Sequence, residues 1–307
     1  MDDIFRFFRP NSRTHSRSNA YLCALLSYYI YPKADLLKNT IPGSGSTNSR
    51  FRALFQALSS RDPFAIDFIS GGDAEAAVLV NSRVAIVVFR GTELSLGEWV
   101  TGQSSNARFQ LRQMPDEWGN VAVHDGFYRA LAQVYQGVRK RVREVDDNRP
   151  VFLTGHSRGA AMAALCAYRL HMVGGVQPAC VYGFGSPRVG DARWRDKYAE
   201  EGLWERTFRW VHRYDFGHQV PDFGSLSNVP PTRYYHVGQL NHYLTLQNIN
   251  LDHANPDFEP GIKASSGSDH SMPTYCSLLF NQLPGRRRRG GGLIKDDVGR
   301  ALPVLPG

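Results

Sequence analysis

Long apolar runs are missing from this 307-residue chain. No stretch of about eighteen apolar residues occurs, so no transmembrane helix is expected. The opening "MDDIFRFFRPN" starts acidic and is broken by charge and proline, unlike a secretory leader. The expected location is therefore the cytoplasm, or the exterior if a leader has been removed. Cysteine is scarce. Cys23, Cys166, Cys180 and Cys276 show no C-x-x-C or C-x-x-H spacing, so no metal site is expected. Cys166 and Cys180 fall in apolar patterns, where a buried free thiol is the default. Internal repeats are also absent. The formal charge of +8 includes Arg286 to Arg289 in a glycine-flanked tail, which reads as solvated and disordered. No basic stripe interleaved with aromatic residues occurs elsewhere, so nucleic acid is not an expected partner.

What remains is the make-up of a globular protein, with 42% hydrophobic and 21% charged residues. "NAYLCALLSYYIY" (Asn19 to Tyr31) reads as an apolar helix with Asn19 as its cap. "AAVLVNSRVAIVVFRGT" reads as a hairpin turning at Asn81-Ser82-Arg83. Periodicity is then lost from Gly91 to Ala122, and a loop of that length is usually functional. "DGFYRALAQVYQGVRKRVREV" resumes helical spacing with a basic face. After it come a strand at Val151 to Thr154, a helix at Ala160 to Leu170 and the strand "ACVYGFGSPRVG". A helix near Arg193 to Glu200 and the strand "RTFRWVHRYD" follow. Strands alternating with helices predict an α/β fold, a mostly parallel sheet covered on both faces. A strand pair at "RYYHVGQLNHYLTL" and a helix at "SMPTYCSLLFNQL" complete the pattern. The expected organisation is one domain over 1–284, with a helical extension over about 1–60 and an unstructured tail over 285–307.

Gly155-His156-Ser157-Arg158-Gly159 stands where a strand meets a helix. A serine on so sharp a turn is strained, and glycine two residues to either side removes the side chains that would collide. This nucleophile-elbow pattern lifts the hydroxyl over the sheet edge beside a helix N-terminus, which favours developing negative charge. A serine needs a base, and the base an orienting carboxylate. Asp215 ends a strand and is a candidate acid, with Asp191 and Asp222 competing. Seven histidines follow the serine: His171, His212, His218, His236, His242, His253 and His270. His212 inside a strand and His171 at a helix end read as structural. His270 follows a Gly-Ser loop and precedes the last helix, from which an imidazole can reach a serine. The residues alone leave the choice open.

Six blocks in order resemble the fungal-type triacylglycerol lipases, or class 3 lipases, of the α/β-hydrolase superfamily. They are "VVFRGT" with Trp99 downstream, "VHDGFY", "GHSRGAAMA", "YGFGSPRVGD", "HRYDFGHQVP" and "SDHSMPTY". The resemblance implies an α/β-hydrolase fold and a serine carboxylic-ester hydrolase that needs no cofactor. It implies Ser157 as nucleophile, Asp215 as triad acid and His270 as general base, with His236 the runner-up. It further implies an oxyanion hole from Thr92 and the backbone N–H of Arg158. A lid is implied over about Glu93 to Ser104, with Leu94, Leu96, Trp99 and Val100 forming its apolar face. The implied partner is an acyl-ester or lipid substrate, met at a lipid–water interface if the lid operates. The oligomeric state is not implied. Three departures stand out: Arg158 replaces the usual leucine and puts a charge near the acyl path, no aspartate follows Trp99, and the lid carries two glycines. A plain esterase, a phospholipase or galactolipid hydrolase, and an inactive binding fold are the other readings.

Overall fold

In a computed structural model of the protein, the described residues are 3–31, 47–91, 110–145, 149–221, 234–243, 249–250, 269–281, 283, 293–295 and 301–303. An eight-stranded sheet runs through the centre. Its strands are β1 (Ala65–Gly71), β2 (Ala74–Val80), β3 (Ala85–Phe89), β6 (Val151–His156), β7 (Cys180–Phe184), β8 (Thr207–His212), β9 (Gln239–Tyr243) and β10 (Ile249–Asn250), lying side by side in that order. The five strands from β3 to β9 are mutually parallel, while β1 and β2 at one edge and β10 at the other are antiparallel. Two short strands, β4 (Leu111–Gln113) and β5 (Ala122–His124), pair separately.

The parallel strands are apolar on both faces because both are covered. Ile86, Val88, Phe152, Tyr182, Phe184, Phe208 and Trp210 point to one side. Against them pack α1 (Arg17–Tyr29), α2 (Thr47–Leu58) and α7 (Met272–Asn281). Val87, Phe89, Val151, Leu153 and Val181 point to the other side. There they meet α3 (Asp125–Arg143), α4 (Arg158–Gly174) and α5 (Ala192–Glu200). The described part of the N-terminal segment joins this packing. Leu22, Leu26, Phe51 and Phe55 belong to one of the two cores. In α4, Ala160, Ala161, Ala163 and Ala164 are buried, and such small side chains let the helix lie close to the sheet.

Several local expectations change. The cap of α1 is Ser16, whose hydroxyl accepts from the Asn19 amide at 3.3 Å. Asn19 is buried inside the helix and exchanges two hydrogen bonds with the Arg9 backbone. β1 is an addition to the expected elements. Its burial alternates only over Ala65 to Phe68, with Ile66 buried between exposed Ala65 and Asp67. Among the described residues of the strand pair expected over Arg233 to Leu246, β9 forms and pairs with β8 and β10. Tyr235, outside it, makes an isolated bridge to Gly190. In the tail expected to be unstructured, β11 (Leu293–Lys295) and β12 (Ala301–Pro303) pair with each other. All four cysteines are buried free thiols. No helix among the described residues is long and apolar enough to cross a membrane.

Because α1 carries core residues, Leu26→Ala is expected to cost about 2–5 kcal/mol of folding stability. The denaturant midpoint measures this, and a loss below about 0.5 kcal/mol, typical of surface sites, would contradict an integral α1.

Candidate active site

The elbow is built as the glycines require. Ser157 lies between β6 and α4 with φ 56° and ψ −128°, a strained conformation for a residue bearing a side chain. A Cβ on Gly155 would lie 2.3 Å from the Gly159 carbonyl carbon, and one on Gly159 would lie 2.2 Å from the Phe89 oxygen. Only glycine fits at either place. The Ser157 amide donates to the Phe184 carbonyl, at the end of the neighbouring strand β7, at 2.9 Å. The Ser157 carbonyl accepts from the Ala160 amide, also at 2.9 Å. The backbone thus starts the helix while the side chain makes no capping bond.

Asp215 follows β8 and caps α6 (Phe216–Gln219), accepting from the Gly217 amide at 2.7 Å. It is fully buried. His270 Nδ1 lies 2.6 Å from Asp215 Oδ1, and the Tyr275 hydroxyl donates to Oδ2. Burial alone would raise the pKa of Asp215. The His270 ring, with the hydrogen bonds from His270 and Tyr275, outweighs burial and holds the carboxyl below its usual range. An ionised carboxylate only accepts, so the proton is assigned to Nδ1 of His270 and Nε2 keeps its lone pair. Space for this pair comes from Gly185 and Gly217. A Cβ on Gly185 would lie 2.5 Å from Asp215 Oδ2, and one on Gly217 would lie 2.1 Å from His270 Cε1.

His156 ties His270 to the elbow. Its ring is 4.5 Å from that of His270 between centroids, and its Nε2 lies 2.8 Å from the His270 carbonyl. A carbonyl can only accept, so Nε2 carries the proton and Nδ1 accepts from the Tyr31 hydroxyl at 2.9 Å. Burial pushes the His156 pKa down to about 3, helped by the neighbouring His270 and opposed by Asp215. His156 is therefore a neutral strut. The Phe216 ring, 4.4 Å away between centroids, also packs on His270.

The remaining candidates fall elsewhere. Asp191 caps α5 through the Trp194 amide at 2.8 Å. His171 meets Glu201 at 3.0 Å. His218 and His236 face each other at 3.3 Å, and His236 Nε2 also lies 2.9 Å from the His218 carbonyl. His212 pairs with Asp269 at 3.4 Å. His124 caps α3, accepting from the Gly126 and Phe127 amides. Asp222, His253, Thr92 and the lid residues Glu93, Leu94, Leu96, Trp99 and Val100 lie outside the described residues, as does the side chain of His242. The Arg158 amide opens α4, a position with no acceptor inside the helix. The Arg158 guanidinium, expected near the acyl path, instead donates to Asp73 Oδ2 at 2.6 Å and to the Asp73 carbonyl at 2.8 Å. Tyr275, Tyr31 and Asp73 escape sequence reading, since each acts across a long separation with no spacing to signal it. Among the described residues no cluster of three or more His, Cys, Asp or Glu is arranged to hold a metal.

Comparison with known proteins bears on the family and the fold. The family model described as Lipase (class 3) matches residues 86–224. Phospholipase A1 EG1 of Oryza sativa subsp. indica is 27% identical, the match covering 88% of this chain and 66% of that protein. Lipase ZK262.3 of Caenorhabditis elegans is 30% identical over 75% of this chain and 63% of its own length. The chain thus spans just under two thirds of these two relatives. Among solved structures, the lipase from Rhizopus microsporus var. chinensis superposes with a TM-score of 0.58 at 19% identity, covering 84% of this chain and 87% of that one. The Rhizomucor miehei lipase propeptide complex gives 0.56 at 19% identity, covering 79% and 75%. At that identity the likeness establishes the fold alone.

Two buried histidines set an acid limit on stability. Burial pushes His124 down to about 4 and His156 to about 3, so both are neutral in the fold. The unfolded chain protonates them near a pH of about 6.5 and thus binds more protons below that value. Stability is expected to fall from about pH 6.5 toward about pH 4, by up to about 1.4 kcal/mol per pH unit for each histidine. Denaturant midpoints across that range should decline, and less steeply in His124→Asn, which retains a cap. A flat profile in the native protein would contradict this.

Proposed function

Because the chain belongs to the class 3 lipase family of α/β-hydrolases, we propose that it is a serine carboxylic-ester hydrolase acting on acylglycerols or other fatty-acyl esters. The carrying observation is the 2.6 Å contact of His270 Nδ1 with the buried Asp215 carboxylate, held against the elbow by His156. In this reading, His270 Nε2 takes the proton from Ser157 Oγ as the oxygen attacks the ester carbonyl. Asp215 keeps the imidazole in the receptive tautomer and stabilises the imidazolium. The negative oxygen of the tetrahedral intermediate is met by the Arg158 amide and by Thr92. One such donor is worth about 3 kcal/mol. Protonated His270 then gives its proton to the leaving alcohol, and an acyl-Ser157 ester remains. The same imidazole next deprotonates a water, which releases the fatty acid and restores the serine.

Phospholipase A1 activity is a second reading with the same residues. It is favoured by the rice relative, which carries that name and matches along most of this chain. The choice rests on the acyl and head-group pocket rather than on the triad.

A fluorophosphonate should label the protein stoichiometrically at Ser157, as read by intact mass and peptide mapping, and Ser157→Ala should abolish the label. The same substitution should lower kcat on a soluble p-nitrophenyl ester by a factor on the order of 10⁴ or more. Absence of label on folded native protein would remove the hydrolase reading. Comparing triacylglycerol, diacylglycerol and phosphatidylcholine separates the two substrate readings.

A further inference from the structure

The β1–β2 turn reaches across to the catalytic edge of the sheet. Its tip is seated on α3. A Cβ on Gly71 would lie 2.5 Å from the Gln133 carbonyl oxygen, and one on Gly72, where φ is +54°, would lie 2.4 Å from Gln133 Oε1. From that tip Asp73 binds Arg158, the residue after the nucleophile, through both its carboxylate and its carbonyl. Two residues on, Glu75 binds Arg90, the residue after β3. Its carboxylate pairs with the guanidinium, and its carbonyl accepts from the Arg90 amide at 3.0 Å. The two anchored segments touch, since Gly159 packs directly on the Phe89 carbonyl and the Gly91 amide.

An arginine is an awkward choice at this point. A cation opposes the dipole at a helix N-terminus, and the Arg158 side chain is only 2% exposed, so its charge has been taken out of water. An apolar residue would start the helix without either cost. What the arginine adds is a fixed link from the first turn of α4 to a rigid hairpin. Displacing a catalytic donor by as little as about 1 Å weakens catalysis about 100-fold.

The geometry points to Asp73 and Glu75 as positioning residues for ester hydrolysis. They hold the first turn of α4, and with it the Arg158 amide, in register with the end of β3, so that this donor meets the oxyanion. The inference rests on the hydrolase reading above and adds to it two acids on the β1–β2 turn.

The test uses Asp73→Asn and Glu75→Gln in the full chain, with kcat normalised to sites titrated by fluorophosphonate. On p-nitrophenyl butyrate, kcat is expected to fall roughly tenfold in each variant, with KM changed less than about twofold. Affinity for a trifluoromethyl ketone, which adds to the serine and leaves a tetrahedral oxyanion, should fall by the same factor. Unchanged kcat in folded, fully titrating variants overturns the inference while the native enzyme's activity upholds the hydrolase reading. Reduced kcat with unchanged ketone affinity also overturns it, because the loss then lies outside the oxyanion. A native protein that neither turns over nor labels overturns both. If Glu75→Gln melts below the assay temperature, Asp73→Asn decides alone, because the Asp73 side chain is half exposed.

Discussion

The contact between His270 and Asp215 is the constraint on which the candidate active site depends. The two residues come from segments 55 positions apart, and their 2.6 Å hydrogen bond joins the end of β8 to the start of α7. A carboxylate buried this completely is costly unless its lone pairs are engaged. Here the Gly217 amide, the His270 ring and the Tyr275 hydroxyl all donate to it. The acid therefore stays ionised in a dry place, which keeps the imidazole in one tautomer. Remove that charge and the ring has no reason to hold its lone pair toward the sheet edge.

The sheet brings these groups together through its two cores. Parallel strands end at one edge, and the register sets His156 level with Phe184 and Trp210, so β6 and β8 both run out toward that edge. The helices of the N-terminal segment close one face of that sheet, and Tyr31, just past α1, reaches His156. One network runs from Tyr31 through His156 to the backbone of His270, the proposed base. Stability and site geometry are thus carried by the same packed layer.

Much of this was legible from the chain. A serine bracketed by Gly155 and Gly159 at a strand–helix junction signals an elbow because the backbone there admits no side chain. Alternating strands and helices revealed the parallel sheet, since covered strands must be apolar on both faces. A candidate base was harder to choose. Seven histidines follow Ser157, and periodicity carries no information about which loop folds over which strand. Resemblance to the family singled out His270, and its contact with Asp215 follows that choice. Asn19 looked like a cap but lies buried within α1, because Ser16 three residues earlier reaches its amide. The partner of Arg158 was invisible. Asp73 lies 85 residues earlier, and nothing local in either segment announces the meeting.

The direct measurement of the central claim is the turnover of Asp215→Asn on a soluble ester, with fold checked by circular dichroism. An amide in place of the carboxylate keeps the shape but loses the charge and favours the wrong tautomer. The account predicts a fall in kcat of about 10³–10⁴ with the fold intact. A folded Asp215→Asn protein turning over within about tenfold of the native rate would contradict it.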